Sequence, residues 1–231
     1  MNIVVTGASS GIGREVAIRL AEVSQNRIYA IARSSEALRS LAEGSANGNI
    51  IAVSLDITGD RSSLRELKKR ISDEAGGVDI LINNAGYLVN KPFGEYTPDE
   101  IASIVAVNFT SAAALIAELL PLMGIGSHVV NIGSMGGFQG STKYAGLSWY
   151  SASKGALAVM TECLAAEYAD RGISFNCLCP GAVQTGMFSR AFPGFSAPVS
   201  PAEMAGYIAD FAVNGNKFFN GKILPVALSV P

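Results

Sequence analysis

The chain has 231 residues, 49% of them from the apolar set and 16% charged, with one histidine, three cysteines and one tryptophan. That balance supports a large core and is too poor in charge for a disordered chain. A net charge of -2 with interspersed signs leaves no basic footprint for nucleic acid, a lone histidine excludes zinc sites of the His-Glu-x-x-His type, and three cysteines without a Cys-x-x-Cys pair exclude a disulfide framework.

The first β-branched run, 3–6, reads as a strand. It leads into Gly7-Ala8-Ser9-Ser10-Gly11-Ile12-Gly13 and a helical pattern over 12–24. Strand-like runs then follow at 28–32, 50–55, 80–83, 128–132, 173–178 and 222–228, and helical periods at 35–43, 61–74, 98–123, 150–171 and 201–213. This alternation predicts an α/β fold, a Rossmann-type doubly wound parallel sheet of about seven strands with helices on both faces. No linker, repeat or low-complexity tract interrupts it, so 1–231 reads as a single domain. The N-terminus lacks a basic n-region and does not read as a signal peptide. The uncharged stretch 101–117 is broken by Ser103, Asn108, Thr110 and Ser111 and reads as a core helix rather than a membrane span. With the cysteines read as buried small hydrophobes, the expectation is a cytoplasmic protein with no membrane or nucleic-acid partner.

The glycine turn stands directly between a strand and a helix. Without side chains there, a pyrophosphate can approach backbone N–H groups at the positive helix end. An acidic residue about 20 positions further on would accept hydrogen bonds from the adenosine ribose, whereas an arginine accommodates a 2′-phosphate. The second strand ends Ala32-Arg33-Ser34, with no carboxylate. Arg33 can grip phosphate through two parallel hydrogen bonds, which predicts NADP(H) over NAD(H); the plainer alternative is a solvated surface charge.

Were a bound dinucleotide to pass hydride to a carbonyl, alkoxide character would develop on oxygen and a proton donor would have to stand beside it. A tyrosine, with its ordinary pKa of about 10, suits this when a fixed positive charge favours the phenolate. Tyr150 and Lys154 have the i, i+4 spacing that puts both side chains on one helix face. Tyr87 and Lys91 share that spacing but run into Pro92, which disfavours a helix there. Ser134 ends the fifth predicted strand, at the carboxyl edge where doubly wound sheets place ligands. His128 lies six residues upstream of Ser134, about 20 Å away in extended chain at ~3.3 Å per residue, too far for a Ser-His pair. No metal site is expected.

Thr6 with the glycine run, Asp56-Ile57, Asn83-Asn84-Ala85-Gly86, Asn108, Ser134, Tyr150-Ser151-Ala152-Ser153-Lys154 and Pro180-Gly181 with Thr185 occur in the order of the short-chain dehydrogenase/reductase family, and the chain resembles its compact single-domain branch. The resemblance implies cofactor contacts from Gly7, Ser9, Ser10, Gly11, Ile12, Gly13, Arg33, Asp56, Ile57, Asn83, Ala85, Gly86, Tyr150, Lys154, Pro180, Gly181, Val183 and Thr185. It implies a catalytic set of Asn108, Ser134, Tyr150 and Lys154, in which Asn108 anchors a water relay. It also implies a small carbonyl or alcohol substrate and a homodimer or homotetramer. The sequence departs from the family in three places: the 16 positions from Ser134 to Tyr150 form an enlarged loop, the lid between Gly181 and Pro201 is short, and the last strand lacks Asp-Gly-Gly. Met187, Phe188, Phe192 and Phe195 make that lid apolar, which suits an apolar or 3-oxoacyl carbonyl and equally suits packing of the lid onto its own core. Competing expectations are a non-catalytic NADP(H) sensor and an extended-branch epimerase or dehydratase. The complete catalytic set argues against the first, and the short C-terminal portion against the second.

Overall fold

A computed structural model describes residues 1–227. Seven strands, β1 Asn2–Thr6, β2 Arg27–Ala32, β3 Ile50–Ser54, β4 Ile80–Asn83, β5 His128–Ile132, β6 Ser174–Pro180 and β7 Lys222–Val226, join one sheet in the order β3-β2-β1-β4-β5-β6-β7. Every pairing is parallel. The chain winds outward from β1 to β3 and then returns to place β4 beside β1. A strand-order reversal of this kind opens a crevice at the carboxyl ends of the two strands.

Eight helices surround the sheet among the described residues: α1 Gly11–Ala21, α2 Ser35–Glu43, α3 Arg61–Ala75, α4 Pro98–Val105, α5 Ser111–Leu119, α6 Ser148–Glu167, α7 Gly186–Ala191 and α8 Pro201–Asn214. Successive strand residues point to opposite faces, so the sheet builds two cores. Ile3 and Val5 pack with Val16 and Leu20 of α1 and Ile208 and Phe211 of α8. Val4 packs instead with Leu64 and Leu67 of α3 and Leu115 and Ile116 of α5. Burial on both faces explains the near-continuous apolar runs of the central strands. Each fully buried Leu, Ile or Phe contributes about 1.5–3 kcal/mol.

Several boundaries differ from the pattern reading for local reasons. α1 stops at Ala21 rather than 24, where the Asn26 amide donates to Leu20 O at 2.8 Å. The pattern over 98–123 is interrupted by a π-helical turn, Ala106–Thr110, and closes in a 3-10 turn, Leu120–Leu122. Hydroxyls of Thr110 and Ser111 donate to Ala106 O and Val107 O around that turn, a bonding pattern that bends helices. The stretch Pro98–Leu122 is long and apolar enough to cross a membrane by length and composition. In the fold, α4 packs on α6 and α5 on α3, with Ile104, Leu115, Ile116 and Leu119 buried. α6 begins at Ser148 and ends at Glu167, followed by a 3-10 turn. α7 has no counterpart in the pattern reading, its six residues being too few to show a period. β6 runs on to Pro180, which pairs with Val226. The expected last strand stops at Val226, and Leu228 lies outside the described residues.

Candidate active site

A cavity of about 1610 Å³ follows the carboxyl ends of the strands. At the β1 end it is lined by Gly7, Ser9, Ser10, Gly11 and Ile12. Gly7 has φ +68°, and a Cβ there would lie 2.9 Å from Ala85 Cα, so the turn admits only glycine. A Cβ on Gly13 would lie 2.3 Å from Asn84 Nδ2 and 2.5 Å from Gly7 O. Gly13 therefore sits under the turn rather than on the cavity wall, and lets the 84–85 segment pack against it. Thr6 Oγ accepts from the Asn84 and Ala85 N–H groups at 3.0 Å, and Asn84 Nδ2 donates to Thr6 O at 3.0 Å. Asn84 is thus the residue that sequence reasoning missed; the Asn-Asn pair was the signal, and strand alternation decides which of the two faces the turn.

The α1 N-terminus, like those of α5 and α6, carries no side-chain cap. Ser34, Asp60, Thr97, Thr185 and Ser200 each accept a backbone N–H at the start of their helices, whereas Ser10, the N-cap of α1, makes no such bond. Its first-turn amides and helix dipole face the cavity, where they suit an anion.

At the β2–β3 flank the wall carries Arg33, Asp56 and Ile57. The Thr58 hydroxyl and then its N–H, at 2.7 and 2.9 Å, hold the Asp56 carboxyl below its ordinary value, and the nearby Arg33 charge acts in the same direction. Ala85, Gly86, Pro180, Gly181, Val183 and Thr185 also line the cavity. Asn83 does not: its side chain turns into the sheet, where Nδ2 donates to Asn131 Oδ1 at 2.8 Å. Asn131 in turn donates to Thr161 Oγ at 2.9 Å, and Thr161 donates to Leu157 O at 2.8 Å. The expected ribose contact from Asn83 is replaced by a polar chain linking β4, β5 and α6.

Ser134, Tyr150 and Lys154 gather on the β5–α6 wall. Ser134 Oγ accepts from Gly136 N at 3.1 Å, which leaves its proton free to donate. Tyr150 is in the first turn of α6. Burial raises its pKa, while the nearby Ser134 hydroxyl acts in the lowering direction. The positive end of α6 also favours a phenolate there. Lys154 is 3% exposed and donates to Ile132 O at 2.7 Å. Burial lowers its pKa to about 8. The ammonium is thus held by a β5 carbonyl.

Asn108 lies in the π-helical turn and is 1% exposed. Its Oδ1 accepts from Tyr87 N at 2.7 Å, and its Nδ2 donates to Tyr87 O and Ser153 Oγ at 2.8 and 3.0 Å. Ser153 then donates to Tyr150 O at 2.7 Å. The Asn108 amide is occupied by protein partners and off the cavity wall, so its side chain positions the 86–87 segment and α6. Beneath Ser134, the thiols of Cys177 and Cys179 lie 4.0 Å apart. A Cβ on Gly133 would fall 2.8 and 2.9 Å from their sulfurs, a contact the sequence did not signal.

The enlarged loop contributes Tyr144 and Leu147 to the cavity lining, and the lid contributes Met187, Phe188, Phe192 and Phe195. The Phe188 and Phe192 rings lie 5.1 Å apart. Among the described residues no cluster of three or more metal-ligating side chains occurs.

The short chain dehydrogenase family model matches residues 1–194. A ketoacyl reductase, HetN, from Nostoc sp. (strain PCC 7120 / SAG 25.82 / UTEX 2576) is 37% identical over 190 residues, which are 80% of this chain and 64% of that relative's length. An uncharacterized oxidoreductase of Staphylococcus aureus (strain MW2) is 32% identical over 87% of this chain and 86% of its own. Among solved structures, a short chain dehydrogenase from Burkholderia cenocepacia J2315 in complex with NADP superposes with a TM-score of 0.88 at 28% identity, covering 97% of this chain and 95% of that one. A dehydrogenase/reductase from Sinorhizobium meliloti 1021 gives 0.87 at 28% identity, covering 98% and 93%. The chain belongs to the short-chain dehydrogenase family of oxidoreductases.

Proposed function

We propose that the protein is an NADP(H)-dependent reductase of ketones, 3-oxoacyl groups included, working reversibly on the corresponding alcohols. The observation that carries this reading is the grouping of Ser134, Tyr150 and Lys154 on one wall of a cavity that also holds the uncapped start of α1. The cavity exceeds the roughly 300–1,000 Å³ typical of one small ligand, which fits a dinucleotide and a substrate together. The α1 amides suit a pyrophosphate, Arg33 a 2′-phosphate, and Lys154 and Thr185 the nicotinamide end. The names of a ketoacyl reductase relative and of an NADP-bound neighbour agree with this reading.

A reduced nicotinamide, when bound, supplies hydride. The chain's own residues handle the oxygen. The Ser134 hydroxyl donates to it and fixes its direction, and the Tyr150 hydroxyl transfers its proton to the developing alkoxide. The phenolate left behind is favoured by the positive end of α6. Lys154 carries positive charge below pH about 8. Asn108 keeps the 86–87 segment and α6 in register. In the oxidative direction Tyr150 takes the proton back. The proposed setting is a reducing, cytoplasmic one; Cys177 and Cys179 are buried as expected, whereas Cys163 is exposed.

Tyr150→Phe tests the assignment, because it removes one oxygen. Reduction of a ketone by NADPH should fall by roughly 10²–10⁴ while NADPH affinity is kept. Undiminished turnover would sink it.

A further inference from the structure

The segment 183–199 is a loop closed at its own neck. Val183 and Val199 form an isolated parallel bridge, Gln184 N donates to Val199 O at 2.8 Å, and Ala197 N donates to Gln184 Oε1 at 2.6 Å. Within it, α7 and the residues just beyond present Met187, Phe188 and Phe192 to the cavity. Among the described residues, a single hydrogen bond ties the body of this lid to the chain outside 181–200: Asn90 Nδ2 donates to Ala191 O at 2.8 Å. Ala191 is the last residue of a six-residue helix, so its carbonyl has no donor within the helix.

Asn90 stands 101 residues away in sequence, on the connection between β4 and α4. A third segment seats its side chain. Gly146 of the enlarged loop has φ +83°, and a Cβ there would lie 2.0 Å from Asn90 Oδ1. That glycine is itself fixed, since Lys91 N and the Tyr96 hydroxyl both donate to Gly146 O, at 3.1 and 2.6 Å. Three separate stretches of chain, each lining the substrate end, therefore meet at one amide.

We propose that Asn90 is the latch of the lid: it holds the free end of 183–199 down over the substrate end of the cavity, with Gly146 reserving the space its side chain needs. What the closed lid encloses rests on the reductase reading, an apolar carbonyl compound between Tyr87, Tyr144, Phe188 and Phe192; the latch itself does not rest on it. Asn90 touches no reacting atom and acts by positioning. Because this hydrogen bond is solvent-exposed, its loss should shift the closed-to-open ratio by about two- to fivefold, the lower part of the range for one hydrogen bond.

The test is hydrogen–deuterium exchange of the ligand-free protein, followed in peptides spanning 184–198. Asn90→Asp, which keeps the shape and removes the donor, and Asn90→Ala should each speed lid exchange by about two- to fivefold and leave the β4 and β5 peptides unchanged. Gly146→Ala should do the same by displacing Asn90, with no further increase in the Asn90→Ala/Gly146→Ala double variant. In ketone reduction the KM should rise by a similar factor with NADPH affinity unchanged. Lid exchange unmoved in Asn90→Asp, or single effects that multiply in the double variant, would overturn the latch. If the variants loosen the lid but the wild type reduces no ketone, the reductase reading fails and the latch stands.

Discussion

Acidification probes the one histidine, which is also the one imidazole on which the fold depends. His128 is fully buried at the start of β5, where its Nδ1–H donates to Ala212 O at 2.9 Å and its Nε2 accepts from Asn176 Nδ2 at 2.9 Å. The second bond requires a neutral ring. Burial lowers the pKa from 6.5 to about 4, against a smaller raising effect from the Ala212 carbonyl. The folded value lies below the unfolded one, so the neutral ring's contribution is fully present above pH 6.5 and is lost as pH falls toward 4. At about 1.4 kcal/mol per tenfold change in proton affinity, the fall from 6.5 to about 4 comes to about 3 kcal/mol. Urea unfolding at pH 7.5, 5.5 and 4 would measure it, with His128→Gln as the reference that carries every other titration but not this one. The variant should be less stable at pH 7.5, having lost the contact with Phe211, and the wild type should lose its advantage as the pH falls. With a single histidine, the ring Cε1–H resonance also gives the pKa directly. A midpoint near 6.5, or a wild-type-minus-variant difference flat across this range, would refute the reasoning.

Three further outcomes are expected. In a pH series, kcat/KM for reduction should decline above about pH 8, where Lys154 loses its charge, and Lys154→Arg should move that limb upward. Gly13→Ala should cost about 1–3 kcal/mol in urea unfolding, because its Cβ would overlap Gly7 O and Asn84 Nδ2. Arg33→Ala should reduce the NADPH-over-NADH preference in kcat/KM by roughly 10- to 100-fold, the value of charge-assisted hydrogen bonds to phosphate; an unchanged ratio would assign Arg33 to the solvated surface.

The strands were legible because parallel strands covered on both faces leave continuous apolar runs, and Ile80–Asn83 and His128–Ile132 match residue for residue. The glycine turn and the Tyr150–Lys154 spacing were legible because each depends on local geometry. What escaped the sequence depended on something other than local period. A π turn alters the helical repeat for only five residues, too short to show in the pattern over 98–123. Asn83 and Asn84 are adjacent, and strand alternation sends one into the sheet and the other to the glycine turn. Lys154 has the expected spacing from Tyr150, yet a carbonyl on β5 competes for its ammonium. Asn90 and Gly146 sit in loops, and only the folded chain brings them to Ala191.

The chain of amides and hydroxyl from Asn83 through Asn131 to Thr161 bears on how the protein should fail under heat. It anchors the helix carrying Tyr150 and Lys154 to two central strands, the part of a fold that opens only with global unfolding. The lid, closed at its own neck and tied elsewhere, among the described residues, by one exposed hydrogen bond, belongs to the part that opens first. Warming should therefore erode discrimination among substrates before it erodes the proton-transfer step, so that selectivity and turnover decay at different temperatures in the same molecule.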